Sequence, residues 1–155
     1  MPDEVLRAIG HVATAWGSLE YLIDGTIRSA LDKPAATPRN TALILPFTKR
    51  MDLFDELIPP LIGDDPVKAD LPEFSRKARA LQSRRDLIVH GAVSNSEQIK
   101  DAVRYYWFRR IRWDNPVKVK ERRRYSVDQI DRVAMDISNL IAESLVFELI
   151  VLHAP

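Results

Sequence analysis

From Val5 the apolar residues recur four and three apart, through Ile9, Val12, Trp16, Leu19, Ile23 and Ala30. That period predicts one long helix, Asp3 to Leu31, with a single core-facing stripe. Glu20 flanks the stripe and reads in two ways: as an ordinary flanking ion pair, or as a carboxylate holding an arginine from another helix. Lys33-Pro34-Ala35-Ala36-Thr37-Pro38-Arg39-Asn40 cannot continue a helix, because two prolines remove donors and restrict the residues before them, so a loop is expected. A second helix is expected from Phe47 to Leu57. Phe47, Met51, Phe54 and either Leu57 or Ile58 form its buried face, Pro59-Pro60 ends it, and Gly63-Asp64-Asp65-Pro66 makes a turn. Asp70 and Glu73 stand at capping-box spacing with Pro72 in the first turn, which predicts a third helix. Phe74, Ala78, Leu81 and Ile88 mark its core face, and Gly91 suits its C′ position.

The period then changes. Val103, Tyr105, Trp107, Ile111 and Trp113 alternate with more polar residues, Asp114-Asn115-Pro116 reads as a turn, and Val117 and Val119 resume the alternation, which predicts a β-hairpin. Ser126 and Gln129 form a second capping box and open a last helix, its face drawn through Ile130, Ala134, Ile137, Ile141, Leu145, Leu149 and Leu152. From Leu145 onward that helix is apolar nearly all round, so burial on more than one side, or contact with a second subunit, is expected. The fold class is mainly all-α: about four helices with a β-hairpin inserted before the last, in a single domain over residues 1–155.

Composition narrows the picture. A chain of 155 residues, 46% hydrophobic and 29% charged, has globular proportions and enough length for a core. It has no cysteine, which excludes thiolate metal sites, disulfides and a cysteine nucleophile. No run of apolar residues is long enough to span a bilayer, and Met1-Pro2-Asp3-Glu4 is not the start of a signal peptide. Five glycines with no phosphate-cradling cluster argue against a P-loop or dinucleotide fold. The expectation is a soluble cytoplasmic protein without metal or cofactor. His11, off the first stripe, and His153, near the C-terminal end, have no second ligand at metal spacing and are set aside.

Net charge is only +1, so any basic partner surface must be local. The hairpin supplies one: Lys100, Arg104, Arg109, Arg110, Arg112, Lys118, Lys120 and Arg122–Arg124 face only Asp101, Asp114 and Glu121. Arginine interleaved with Tyr and Trp suits a phosphate backbone with stackable bases, and charge on strand edges equally prevents edge-to-edge pairing. A second local feature is Arg84-Arg85-Asp86-Leu87-Ile88-Val89-His90-Gly91. Arg85 falls in the core stripe of the third helix, where a cation needs a partner or a cleft. Asp86 and His90 are four apart on one helix face, the relation that lets a carboxylate orient an imidazole for acid–base work. Arg85 projects about 140° from His90 at about 100° per residue, so the two are expected to flank a cleft rather than touch within one chain.

Arg85-Asp86-Leu87-Ile88-Val89-His90 resembles the Arg-x(4–6)-His motif of the HEPN superfamily (higher eukaryotes and prokaryotes nucleotide-binding). Ala15-Trp16-Gly17-Ser18-Leu19-Glu20, Pro46-Phe47-Thr48-Lys49-Arg50-Met51 and Gly91 extend the likeness over residues 3–91 and 126–152. The resemblance implies a helical bundle that dimerises around a composite cleft and, in many members, metal-independent RNA cleavage. His90 would then assist attack by the ribose 2′-hydroxyl, Arg85 would stabilise the phosphorane and Asp86 would orient His90, giving a 2′,3′-cyclic phosphate and a 5′-hydroxyl. Arg84 is the alternative motif arginine; Arg85 is preferred for its polar successor. Arg84, Arg109, Arg110 and Arg112 would contact nucleic acid. The implied partners are a second copy, RNA and a cognate antitoxin or nucleotidyltransferase; no membrane is implied. Other members bind nucleotide, RNA or protein without cleavage. In members regulated by a nucleotidyltransferase a tyrosine stands two residues after the histidine; Ala92 occupies that position here, which speaks against such modification.

Overall fold

A computed structural model describes the backbone at residues 1–32, 45–100, 103–112 and 115–154, and the side chains of these except at 94–100, 111, 112 and 115–120. The loop expected over residues 33–40, together with Trp113 and Asp114, lies outside the described residues. The elements are α1 (Asp3–Leu31), α2 (Phe47–Ile62), a 3-10 helix (Pro66–Asp70), α3 (Leu71–His90), β1 (Ala92–Lys100), β2 (Val103–Arg112), β3 (Asn115–Tyr125) and α4 (Val127–His153). The chain is thus mainly helical, with four α-helices and a small antiparallel sheet. It divides into two compact units, Met1–Trp16 with Leu81–Ile137, and Gly17–Ala80 with Ser138–Pro155. No helix among the described residues is long and apolar enough to cross a membrane.

In the first unit the sheet runs β1-β2-β3, antiparallel throughout. The expected hairpin is β2–β3, with Asn115 and Pro116 belonging to β3 rather than to a turn. Strand β1 was not anticipated. Its sequence Ala92-Val93-Ser94-Asn95-Ser96-Glu97-Gln98 lacks the β-branched alternation that signals a strand, so pairing with β2 imposes the conformation. Alternation along β2 buries Tyr106 and Phe108 and puts Tyr105, Trp107 and Arg109 on the other face. With them the unit buries Val5, Val12 and Trp16 of α1, Leu87 and Ile88 of α3, and Ile130, Val133 and Ile137 of α4.

Two local devices fix the ends of this unit's helices. Ser126 N–H donates to Gln129 Oε1 (3.0 Å) and Gln129 N–H donates to Ser126 Oγ (3.2 Å), the reciprocal capping box expected at the start of α4. Ser126→Ala is therefore expected to lower stability by about 1 kcal/mol in urea denaturation, and an unchanged midpoint would show the cap to be dispensable. At the other device, Gly91 N–H donates to Leu87 O (3.0 Å) where α3 stops. A Cβ on Gly91 would overlap the Leu87 carbonyl oxygen and lie 3.4 Å from Arg109 O. The obstacle is backbone, which no rotamer change relieves. Gly91→Ala should cost about 2–4 kcal/mol, read as a lower denaturation midpoint at unchanged slope.

In the second unit Phe54, Phe74 and Phe147 meet with ring centroids 5.1–6.2 Å apart, tilted or edge-to-face, and they anchor a core with Leu19, Ile23, Ile27, Met51 and Ile58. Helix α2 does not end at Pro59-Pro60 but runs to Ile62. Proline's fixed φ suits a helix, and buried Ile58 and Ile62 hold this final turn against the core despite two missing N–H donors. Gly63, at φ 63°, ends it in a conformation that favours glycine. The expected Asp70–Glu73 capping box is replaced. Asp65 caps the preceding 3-10 helix through Val67 N–H, that helix leads straight into α3, and Glu73 instead forms a two-point pair with Arg76. The face drawn for α4 also shifts. Its buried line continues through Leu140, Ser144, Phe147 and Val151, while Leu145, Leu149 and Leu152 are exposed, Leu149 to 56%. With apolar residues nearly all round, periodicity cannot choose the inward face, and the Phe54–Phe74 pair selects Phe147.

Arg50 carries the strongest polar cluster of this unit. Its Nη1 donates to both carboxylate oxygens of Asp24 at 3.0 Å, its Nη2 to Glu20 Oε1 at 2.5 Å, and its Cζ lies 5.7 Å from the Phe47 ring centroid. Glu20 therefore does hold an arginine from another helix, jointly with Asp24. Both acids sit on α1 four residues apart, the spacing at which two carboxylates can converge on one cation.

Candidate functional site

The last two turns of α3 bring Arg85, Asp86 and His90 together. Arg85 follows Leu81 by four residues and so comes off the buried stripe, only 21% exposed, with its Cζ 5.5 Å from the ring centroid of buried Trp16. Its Nη1 donates to Asp86 Oδ1 (2.8 Å) and lies 3.0 Å from His90 Nε2. Its Nε is buried with no hydrogen-bond partner among the described residues. His90 ends the helix and is exposed, because the chain turns into β1 at Gly91.

The contact between Arg85 and His90 corrects the expectation that they would only flank a cleft. Their Cα–Cβ directions diverge, but the long arginine stem folds across the helix end and delivers a guanidinium to the ring. Since arginine only donates, Nε2 is the acceptor when this contact is a hydrogen bond, the tautomer with the ring proton on Nδ1. The expected direct Asp86–His90 pairing is replaced by an indirect one. Among the described residues, Asp86 Oδ1 bonds Arg85, its Oδ2 lies 3.8 Å from Arg110 Nη2, and Arg85 relays between Asp86 and His90.

The remaining candidates separate. Arg84 points elsewhere, 50% exposed and 4.0 Å from Asp136. Arg110 joins the Asp86 cluster, whereas Arg109, its neighbour on β2, lies on the opposite face of the sheet beside Arg122 in the register. On that face Arg122 stacks 4.0 Å from the Trp107 centroid and Arg124 5.2 Å from that of Tyr105. The side chain of Arg112 lies outside the described residues. The hairpin arginines thus form two surfaces, not one. Of the histidines set aside, exposed His11 lies 3.5 Å from Asp131 and His153 is the last residue of α4. No group of three or more metal-binding side chains gathers among the described residues.

Sequence reasoning missed two members of the site. Trp16 was expected only as a core anchor, and its role as a platform for Arg85 has no sequence signal beyond its place in the α1 stripe. The approach of Arg110 to Asp86 was legible only through knowing which strand parity faces α3. Comparison of the chain with protein-family models, with curated proteins and with solved structures found no match.

Proposed function

We propose that the chain is a HEPN-like, metal-independent RNA endonuclease that works as a homodimer. The observation that supports this most is the 3.0 Å approach of the Arg85 guanidinium to Nε2 of an exposed His90. A neutral Nε2 is the species that takes a proton, and a partly desolvated guanidinium is a planar cation for a phosphate oxygen. When an RNA phosphodiester arrives, Arg85 exchanges its bond to His90 for one to a non-bridging oxygen, and Nε2 is released. The 2′-hydroxyl then gives its proton to Nε2 as its oxygen bonds to phosphorus, the P–O5′ bond breaks as the 5′-oxygen takes a proton from solvent water, and His90 returns its own proton to solvent afterwards. Asp86, held to Arg85 and near Arg110, keeps the guanidinium in place. A second copy across a two-fold axis would set two such pairs about one strand. A toxin or defence role, with an antitoxin as partner, is part of this reading.

The test is incubation of the purified protein with single-stranded RNA in EDTA, followed by end-group analysis. Products ending in 2′,3′-cyclic phosphate and 5′-hydroxyl support the reading; intact RNA sinks it. The second reading is a non-catalytic module binding nucleotide, RNA or protein. The arginine-stacked aromatic face of Tyr105 and Trp107 favours its RNA form, and RNA affinity without cleavage would select it.

A further inference from the structure

The first unit holds a second cationic feature apart from the Arg85–His90 pair. A hollow of about 320 Å³ is bounded by Arg84 on α3, Arg123, Arg124 and Tyr125 at the end of β3, and Gln129 and Arg132 on the first turns of α4. Arg124 is also engaged by the Tyr105 ring, and among the described residues Asp136 lies 4.0 Å from Arg84 and Glu121 2.9 Å from Arg123. Arg84, Arg123 and Arg132 against these two carboxylates leave positive charge in excess around the concavity, which favours an anion there.

The uncharged groups have the same preference. The Tyr125 hydroxyl is buried with Arg123 beside it, a group that can only donate, and its proton has no acceptor among the described residues, while its ring packs edge-on against Phe108 at 5.6 Å. Burial raises its pKa above the usual tyrosine range, outweighing nearby Arg123 and Arg84, so it stays a protonated donor at neutral pH. A buried hydroxyl without an acceptor is costly unless a ligand supplies one. Gln129 Oε1 is committed to Ser126 N–H, which leaves only its NH2 end for a ligand. Apart from Asp136, which lies 4.0 Å from Arg84, the polar side chains around the hollow present donors, the complement of a group with several acceptor oxygens and negative charge.

We propose that this hollow holds a backbone phosphate of the RNA strand, next to the phosphate engaged by Arg85 and His90. The proposal rests on the ribonuclease reading of that pair. Arg84 and Arg85 are successive residues of α3, about 100° apart around its axis, so a strand crossing the helix end meets both in turn. Arg123, Tyr125 and Arg132 thereby gain a positioning role that the Arg-x4-His pattern does not assign.

The experiment measures binding of a short single-stranded RNA to His90→Ala protein over a salt series, without and with Arg123→Ala/Arg132→Ala, and separately with Tyr125→Phe. The double substitution should weaken binding about 10- to 100-fold and flatten the log–log salt slope by about 0.7, the value for one phosphate contact on a single strand. Tyr125→Phe should weaken binding several-fold while the melting temperature stays level or rises, an outcome that a merely structural tyrosine would not give. Unchanged affinity and slope in these variants, or no RNA binding at low salt, overturns the proposal. Inorganic phosphate is the second probe: an Arg123-dependent rise in melting temperature without RNA binding makes this a free-phosphate site and overturns the RNA assignment. Cleavage by the wild-type protein is scored separately. RNA binding that depends on Arg123 without cleavage removes the nuclease and keeps the hollow as an RNA phosphate site; cleavage with variant binding unchanged does the reverse.

Discussion

His90→Ala and Arg85→Ala should each reduce RNA cleavage in EDTA to background while the far-UV spectrum and melting behaviour remain those of a folded protein. The expected losses follow from separate physical roles. Removing a positioned general base costs about 10²- to 10⁴-fold, and removing a preorganised cation at a developing oxyanion about 10²- to 10³-fold. Because Arg85 Nη1 touches His90 Nε2, the two act as a unit, and the double variant should be little worse than either single one. Arg85→Lys is the informative intermediate. One ammonium cannot serve Asp86, His90 and the Trp16 face together, so cleavage should fall nearly as far as with alanine although the charge is kept. Asp86→Asn should have a smaller effect, because Asp86 reaches His90 only through the guanidinium. Cleavage that persists in Arg85→Ala and His90→Ala would move the chemistry elsewhere.

A large stability effect is also expected at Arg50. Its side chain is 12% exposed, and among the described residues it alone joins Glu20 and Asp24, themselves 26% and 24% exposed. Arg50→Met leaves two partly buried carboxylates four residues apart without their cation, and about 3 kcal/mol should be lost, at the low end for a broken buried pair because some water still reaches the acids. The triple variant Arg50→Met/Glu20→Gln/Asp24→Asn should recover most of that, since the cost lies in the stranded charge more than in the lost attraction. Urea denaturation of the three proteins gives the answer. A neutral Arg50→Met would mean that water already solvates the acids.

Much of the frame was legible in the sequence because single-sided periodicity is unambiguous. The bounds of α1, the reciprocal cap at Ser126 and the β2–β3 pairing each rest on a local pattern with one physical solution. The failures share a cause as well. Strand β1 has no intrinsic signal and exists because β2 offers an edge. The C-terminal half of α4 is apolar on several sides, so only the phenylalanine cluster could choose between Phe147 and Leu149. Pro59-Pro60 reads as a stop, but the buried isoleucines around it carry one more turn. In the candidate site the residue types were legible and their wiring was not. Directions on a helical wheel separate Arg85 from His90, whereas the arginine side chain is long enough to fold back across the helix end. The division of Arg109 from Arg110 depends on sheet parity, which a list of basic residues does not convey.

The joint at Gly91 has one more consequence. A single residue separates His90, the last of α3, from Ala92, the first of β1, and Ala92 pairs with Arg109 in a ladder that also sets the place of Arg110. Histidine, sheet and the second cation near Asp86 are therefore geared together without slack. One inserted residue there would either swing His90 about 100° around the helix or slip β1 by one position and exchange its two faces. Lineages of this protein should accordingly accept gains and losses of residues elsewhere on the surface long before they accept a change of length between His90 and Ala92.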